Sequence, residues 1–309
     1  MTRCIITGPA SMLGIALVKE CANKGIEVTA VSRPGSERNN LIPSFNGIRV
    51  AECGLEEIES LPNLLKGSYD VFFHLGWSHT DKEGRINPEL QERNIKYTLD
   101  AVKAASKLGC KTFVGAGSQA EYGKISGKVS EKASIAPVMA YGIAKYSTGR
   151  ISSLLCGKLG IKHMWLRIFS VYGPHNRNDN MITYCMNKLL RGEKPSLTKC
   201  EQKWDYLYSM DAAKAFLLAF EKGRNCAVYN VGSGRTKKLS VYVKIMRDAI
   251  DPSLSLGFGD IEYPEGQAMK LCADITAFSN DTGFKPETNF KDGIIETIRQ
   301  AKEAMNCYP

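Results

Sequence analysis

Arg3-Cys4-Ile5-Ile6-Thr7-Gly8-Pro9-Ala10-Ser11-Met12-Leu13-Gly14 is the stretch on which the fold turns. Arg3 to Thr7 reads as a short buried strand, Gly8 to Gly14 as a tight turn, and the apolar periodicity to about Lys24 as a helix. A strand, a glycine turn and a helix opening place backbone N–H groups and a helix N-terminus where a pyrophosphate can be received. Many strand-to-helix turns need glycine only for φ > 0, but this is the first βα turn of the chain, which favours dinucleotide binding. Ser11 stands where a middle glycine is expected; its side chain is small enough for close approach and could donate to a phosphate.

Outward from that turn the alternation of strand and helix continues. The second strand, Glu27 to Ser32, ends in Ser32-Arg33 with Arg38 close behind. A free ribose 2′-OH is usually met here by an acid, whereas a 2′-phosphate wants an arginine and a hydroxyl. The cofactor expected is therefore NADP(H), with NAD(H) the alternative. Ile48 to Ala51 reads as a third strand, Leu55 to Lys66 as a helix, and Tyr69 to Leu75 as a fourth strand running into Gly76-Trp77. His74 is expected to be a hydrogen-bonded structural residue, and Gly76 a point where the cofactor passes close to the backbone. Pro88 to Leu108, which includes Asn94, is a long amphipathic helix; Lys111 to Ala116 returns as a strand that presents Ser118 at its end. A helix from Val138 to Lys158 and a strand from Lys162 to Phe169 follow.

This order predicts an α/β fold, a doubly wound Rossmann-type parallel sheet with a smaller, discontinuous C-terminal substrate lobe. Residues 1–175 plus about 211–235 would form the NAD(P)-binding domain, and about 176–210 plus 236–309 the substrate lobe. Within the second part, Met181 to Arg191, Ala212 to Lys222 with Asp211 as its cap, Val241 to Asp251 and Lys291 to Met305 read as helices; Pro195 to Thr198 and Ala227 to Val231 read as strands.

The totals exclude several classes of function. The 309 residues, 43% hydrophobic and 24% charged, suit one large α/β unit or a large and a small one. The net charge of +9 is spread along the chain, which speaks against nucleic acid as a partner and suits a small phosphorylated substrate. Ten cysteines, at 4, 21, 53, 110, 156, 185, 200, 226, 272 and 307, form no C-x-x-C pair, and the four histidines give a metal site poor raw material. No metal is expected, and the cysteines read as buried thiols of a cytoplasmic protein. No segment approaches the ~20 apolar residues of a membrane span.

Tyr141-Gly142-Ile143-Ala144-Lys145 carries the chemistry. Residues i and i+4 share a helix face, so the phenol and the ammonium would stand side by side. A positive charge about 4 Å away contributes roughly 4 kcal/mol at an effective dielectric near 20, enough to bring a phenol toward neutrality. Tyr141 could then exchange a proton with a carbonyl or alcohol oxygen that Ser118 also holds. Spacing alone describes an ordinary helix-face pair; the surrounding motifs turn it into a candidate site.

Those motifs together resemble the extended short-chain dehydrogenase/reductases, the NAD(P)-dependent nucleotide-sugar epimerases, dehydratases and reductases. The matching segments are Thr7-Gly8 to Gly14, Ser118 to Tyr122-Gly123, Tyr141-x-x-x-Lys145, Leu166 to Pro174, Trp204 to Asp211 and Tyr229 to Gly234. The resemblance implies Tyr141 as proton donor or acceptor, Lys145 on the nicotinamide ribose and the phenol, and Ser118 on the substrate oxygen. It implies cofactor contacts from Gly8, Ser11, Met12, Leu13, Gly14, Ser32, Arg33, Leu75, Gly76, Trp77, Asn94, Tyr141, Lys145 and Ile168. It also implies substrate contacts from Ser118, Gln119, His175, Met181, Lys203, Trp204 and Arg235, and a homodimer formed through the helices at 88–108 and 138–158.

The departures from the family pattern narrow the reaction. Gln119-Ala120 stand where a 4,6-dehydratase carries Asp-Glu, and Glu121 is one place late and would face the other side of an extended segment. Inverting epimerase-reductases pair a Cys with a His at the position of His175, and the Cys is missing from Gly117-Ser118-Gln119. Trp204 replaces a phosphate-binding Arg, leaving Lys203, Arg235 and Lys270 as candidates for the pyrophosphate and Trp204 itself to stack on a base or to join the core. The expectation is NADPH-dependent reduction of a nucleotide-linked 4-keto sugar. A 4-epimerase is the alternative, and a non-catalytic dinucleotide-binding regulator is a third reading that the presence of Ser118, Tyr141 and Lys145 disfavours.

Overall fold

The structure, a computed structural model, describes residues 1–176 and 180–306, so Cys307 lies outside the described residues. Strands β1 (Arg3–Thr7), β2 (Glu27–Ser32), β3 (Ile48–Glu52), β4 (Val71–His74), β5 (Thr112–Ser118), β6 (Lys162–Ile168) and β7 (Ala227–Val231) form one parallel sheet in the order 7-6-5-4-1-2-3. The order reverses between β1 and β4, where open α/β sheets form their ligand crevice.

Apart from the edge strand β3, the strands are buried on both faces, so their side chains divide between two cores with period two. Cys4 and Ile6 of β1, Phe73 of β4 and Val114 of β5 enter one core. Ile5, Phe72 and Phe113 enter the other, where the Phe72 and Phe113 rings stack at 5.5 Å. Helix α1 (Met12–Asn23) packs with the helix Ser209–Lys222 over the first face, while α2 (Pro88–Lys107) and α3 (Ala140–Lys158) pack together on the second. Truncating a ring this deeply buried, as in Phe72→Ala, would cost about 3–5 kcal/mol.

Helices Met181–Leu190, Leu239–Ile250 and Phe290–Asn306 gather a third core that includes Cys185, Leu189, Tyr242, Met246 and Ile294. A four-stranded sheet beside it orders Lys237–Lys238, Lys203–Trp204, Lys270–Ala273 and Gly127–Val129.

Three local expectations are corrected. Leu55 to Lys66 is not one helix: Leu55–Ser60 is a 3-10 turn and only Leu61–Leu64 is α-helical. Pro62, at the start of that second piece, lacks the N–H that would continue the preceding turn. The helix expected from Val138 begins at Ala140, because Met139 is extended at φ −120°. Asp211 does not cap its helix, which begins at Ser209; it sits inside the first turn, and its carboxylate accepts from Thr288 N at 2.8 Å.

Among the described residues no helix is long and apolar enough to cross a membrane, and no cluster of three or more His, Cys, Asp or Glu is suited to a metal. Of the nine described cysteines, all free, eight are buried and Cys226 is exposed.

Candidate active site

The turn between β1 and α1 is closed by its own side chains. Gly8 takes φ +67°, and a Cβ there would lie 3.0 Å from Gly76 N; a Cβ on Gly14 would lie 2.1 Å from Gly8 O. The turn and the end of β4 therefore approach as closely as backbones can. Ser11 caps the helix: its Oγ accepts from Gly14 N at 3.0 Å and donates to Gly8 O at 2.8 Å. Its proton is thus committed to the turn, where the sequence suggested a phosphate donor. Met12 and Leu13 open α1, whose first turn holds no acidic residue, so the positive end of the helix is uncompensated and suits an anion.

The end of β2 also matches a dinucleotide. The Ser32 Oγ is buried with no hydrogen-bond partner, Arg33 is exposed, and Arg38 reaches back to Ala10 O with Nε at 2.9 Å and Nη2 at 2.6 Å. Arg38 also donates to His175 O at 3.2 Å, so it fastens the glycine turn to the segment after β6. An orphaned hydroxyl at the end of β2, a cradle that a Cβ would fill and a helix N-terminus with no acidic residue in its first turn fit the adenosine and pyrophosphate portions of an NAD(P) cofactor.

A directed hydrogen-bond chain fixes the far side of this crevice. Gly76 N donates to Thr7 Oγ1 at 3.0 Å, and Thr7 Oγ1 pairs with His74 Nδ1 at 3.0 Å. On the other side of the ring, His74 Nε2 pairs with Thr98 Oγ1 at 3.1 Å, and Thr98 gives its own proton to Asn94 O. Thr98 must then accept from the ring, which places the proton on Nε2 and leaves Nδ1 to accept from Thr7. Burial, reinforced by Lys145, pushes His74 down to about 3, so the ring stays neutral as a structural link. The Asn94 side chain holds Ser78 N at 2.7 Å and Ser78 O at 3.2 Å, and Gln91 takes the indole N–H of Trp77 at 2.9 Å. Trp77 and Ser78 are thus positioned by α2, and Gly76 by Thr7 of β1.

Ser118 ends β5 in register with Ile168, at the carboxyl edge of the sheet. Tyr141 is 7% exposed, and the Ser118 side chain is one of the polar groups that act on its phenol. Lys145, also buried, donates to Ala116 O at 2.6 Å and lies 3.6 Å above the Trp77 ring, which itself meets the Tyr141 ring edge-on at 6.1 Å. The three residues come together near the carboxyl end of β5, but their electrostatics differ from the expectation. Burial raises the Tyr141 phenol above its ordinary value, and the strongest opposing influence is Arg85, followed by Ser118. Burial also pushes Lys145 down to about 7, with Glu121 opposing that fall and Arg85 adding to it. The ammonium was expected to acidify the phenol, yet it is drawn to a backbone carbonyl and an indole, 5.8 Å from the Tyr141 ring centre.

The segment after Ser118 is not extended. Gln119–Tyr122 is a 3-10 turn, which rotates the Glu121 carboxylate into the protein. There it accepts from Ser118 N at 2.8 Å, from Trp165 Nε1 at 2.9 Å and from Arg167 Nε at 2.7 Å. Arg167 also lies 4.6 Å over the Tyr122 ring, whose hydroxyl donates to Asn230 Oδ1 at 2.6 Å. Gln119 Oε1 is buried without a hydrogen-bond partner, an acceptor still to be satisfied.

The remaining candidates lie further out. Trp204 gives its indole proton to Ser170 Oγ at 2.8 Å, and Asp205 beside it accepts from Ser233 N, Gly234 N and Ala273 N at 2.8, 3.0 and 3.0 Å. Lys203 alternates with Trp204 along its strand, so it projects to the opposite face, and it pairs in register with Lys270. Lys203, Arg235 and Lys270 are exposed. His175, at φ 62°, lines a cavity of about 270 Å³ with Met12, Lys19, Tyr208, Glu296 and Gln300; Ser118, Tyr141 and Lys145 are not part of its lining. Met181 is half-buried at the start of its helix. Arg85, Glu121 and Arg167 had not been singled out as site residues. For Glu121 the signal was there in the S-x-x-E spacing from Ser118, a capping box that the structure contains.

A family model, the NAD dependent epimerase/dehydratase family, matches residues 4–232. An uncharacterized UDP-glucose epimerase of Bacillus subtilis is 26% identical over 95% of this chain and 96% of its own. The dTDP-4-dehydro-6-deoxyglucose reductase of Escherichia coli is 24% identical, covering 96% and 97%. Among solved structures, the UDP-glucose 4-epimerase of Thermotoga maritima with UDP-glucose superposes with a TM-score of 0.84 at 23% identity, covering 98% of this chain and 100% of that one. The UDP-N-acetylglucosamine 4-epimerase of Methanobrevibacter ruminantium gives 0.87 at 21% identity, covering 98% and 99%. The glycine turn, the sheet order and the family match over most of the chain agree: this protein belongs to the NAD dependent epimerase/dehydratase family of enzymes.

Proposed function

We propose that this enzyme reduces a nucleotide-linked 4-keto-6-deoxy sugar at C4, using NADPH. The observation that carries the reading is the meeting of Ser118, Tyr141 and Lys145 at the carboxyl end of β5, with the orphaned Ser32 hydroxyl and Arg38 at the end of β2. Gly8, Ser11, Met12, Leu13 and Gly14 would seat the pyrophosphate; Ser32, Arg33 and Arg38 the adenosine 2′-phosphate; Leu75, Gly76, Trp77, Asn94 and Ile168 would border the rest. When bound, the cofactor supplies hydride to the carbonyl carbon. Tyr141 gives the carbonyl oxygen its proton, while Ser118 holds that oxygen and fixes the substrate against the phenol. Lys145, with its pKa near neutrality, would gain full charge as negative charge develops beside it. Gln119 would present its free carbonyl to a sugar hydroxyl. Dehydration is disfavoured, since the Glu121 carboxylate beside Ser118 is spent on Arg167.

A 4-epimerase is the second reading, favoured by the match to epimerases over nearly the whole chain. An epimerase re-reduces the carbon it oxidises, so its cofactor is not consumed. The test is to denature the purified protein, identify any released nucleotide, and follow NADPH absorbance with a panel of nucleotide-4-keto-6-deoxy sugars. Net oxidation supports the reductase; retained NAD with no net oxidation supports the epimerase.

A homodimer through α3 accompanies this reading. Ile143, Ile151 and Leu154, 51%, 42% and 77% exposed, repeat at helical spacing on its outer face, and an apolar stripe of this kind is normally covered. The buried, unpaired cysteines suit a reducing compartment.

A further inference from the structure

We propose that Arg85 is a positioning residue for the proton-transfer step: its guanidinium, seated on the face of the Tyr141 ring, is a cation that stabilises the phenolate in this buried place. The Arg85 Cζ lies 4.5 Å from the Tyr141 ring centre, nearer than the Lys145 Nζ at 5.8 Å. Lys145 is spent on Ala116 O and on the Trp77 face, whereas the Arg85 Nε is buried with no hydrogen-bond partner.

The seat of Arg85 is built. Gly84 N donates to Asp81 Oδ1 at 2.8 Å and Gln91 Nε2 donates to Gly84 O at 3.0 Å, so α2 clamps the 3-10 turn Gly84–Ile86. A Cβ on Gly84 would come within 2.7 Å of His79 Cβ, which leaves that turn one way to pack. The groups facing Tyr141 are then Arg85 from this turn, Ser118 from β5, Glu121 from the 119–122 turn and Lys145 from its own helix. Glu121 is neutralised by Arg167, and His74 beside Lys145 is an uncharged ring.

Chemistry separates the two cations. A guanidinium keeps its charge throughout the accessible pH range, whereas a buried ammonium does not. Lys145, pushed down to about 7 in the unliganded site, loses its charge well before a phenol would ionise. Arg85 therefore carries its charge whether or not Lys145 has regained one. Its consequence for turnover rests on the oxidoreductase reading above; the acidity of Tyr141 can be measured without it.

The experiment follows phenolate ultraviolet absorbance after rapid pH jumps, with neither cofactor nor substrate, and takes the difference against Tyr141→Phe to isolate one ring. Arg85→Gln is expected to raise the Tyr141 midpoint by about one pH unit or more, a roughly tenfold loss of phenolate at fixed pH, and Lys145→Met by clearly less. Arg85→Lys, which keeps a cation only below about pH 10, is expected to fall between wild type and Arg85→Gln. An unchanged midpoint in Arg85→Gln, or a larger shift in Lys145→Met, overturns the proposal. Should Arg85→Gln fail to fold by circular dichroism, Arg85→Lys decides: a raised midpoint supports the assignment and an unmoved one overturns it. If no keto sugar is turned over while the Arg85 shift is present, the reaction assignment fails and this one stands.

Discussion

Glu121 Oε2 accepts from Arg167 Nε at 2.7 Å, with the two side chains 1% and 6% exposed. The same carboxylate holds the backbone N–H of Ser118, so the ion pair lies directly behind a residue of the candidate site. Removing one partner of a buried pair strands the other charge, at about 3–5 kcal/mol. Arg167→Met is therefore expected to lower the unfolding free energy by that much, read as a lower urea midpoint at an unchanged slope. A loss under about 1 kcal/mol would mean that water reaches Glu121 in the native state.

Tyr141→Phe removes one oxygen from a ring already packed against Trp77 and Arg85. Turnover should fall about 10²- to 10⁴-fold, the usual contribution of a positioned acid or base. Cofactor affinity, measured by quenching of intrinsic fluorescence, should stay within about twofold. Undiminished turnover would remove Tyr141 from the mechanism.

Gly14→Ala places a methyl group 2.1 Å from Gly8 O, against backbone that has nowhere to yield. We expect a loss of about 1–3 kcal/mol in stability and a weaker grip on the cofactor, seen together by calorimetry with and without added NADPH. Gly25→Ala, where nothing lies within 4 Å but φ is +67°, should cost stability and leave cofactor affinity unchanged.

Two buried bases give the stability a pH dependence of definite sign. His74 is held near 3 against an ordinary value of 6.5, so below pH 6.5 the unfolded chain binds a proton that the native ring refuses. Its contribution is complete above about 6.5 and drains at roughly 1.4 kcal/mol per pH unit down to about 3. Lys145, at about 7 against 10.5, acts in the next window: native stability rises with pH from about 7 to about 10.5 as the unfolded chain gives up its proton. Lys145→Met should then be more stable than wild type at pH 6, and the advantage should fade by about pH 10. Urea melts across this range test both, and an advantage independent of pH would show that Lys145 is charged in the native state throughout.

Much of the architecture was legible in the residues. Strands buried on both faces read as short apolar runs between turns, and Gly8, Ser11 and Gly14 announced a strand-to-helix turn closed by backbone contact. Tyr141 and Lys145 were bound to share a helix face, because that spacing is a property of the helix itself. Local patterns of this kind are settled within a few residues.

What lay beyond that range had to wait for the packed chain. Glu121 turns inward only because the segment after Ser118 coils with a period of three instead of two, and its partner Arg167 comes from a strand 46 residues away. Arg85 reaches the Tyr141 ring because Gln91 and Asn94 of α2 pin the loop that carries it. The charge on Lys145 depends on burial, which no spacing encodes. Sequence by itself determined which groups stand on one helix or one turn; the tertiary structure decided which charges meet across elements, since electrostatic strength depends on distance and on the exclusion of water.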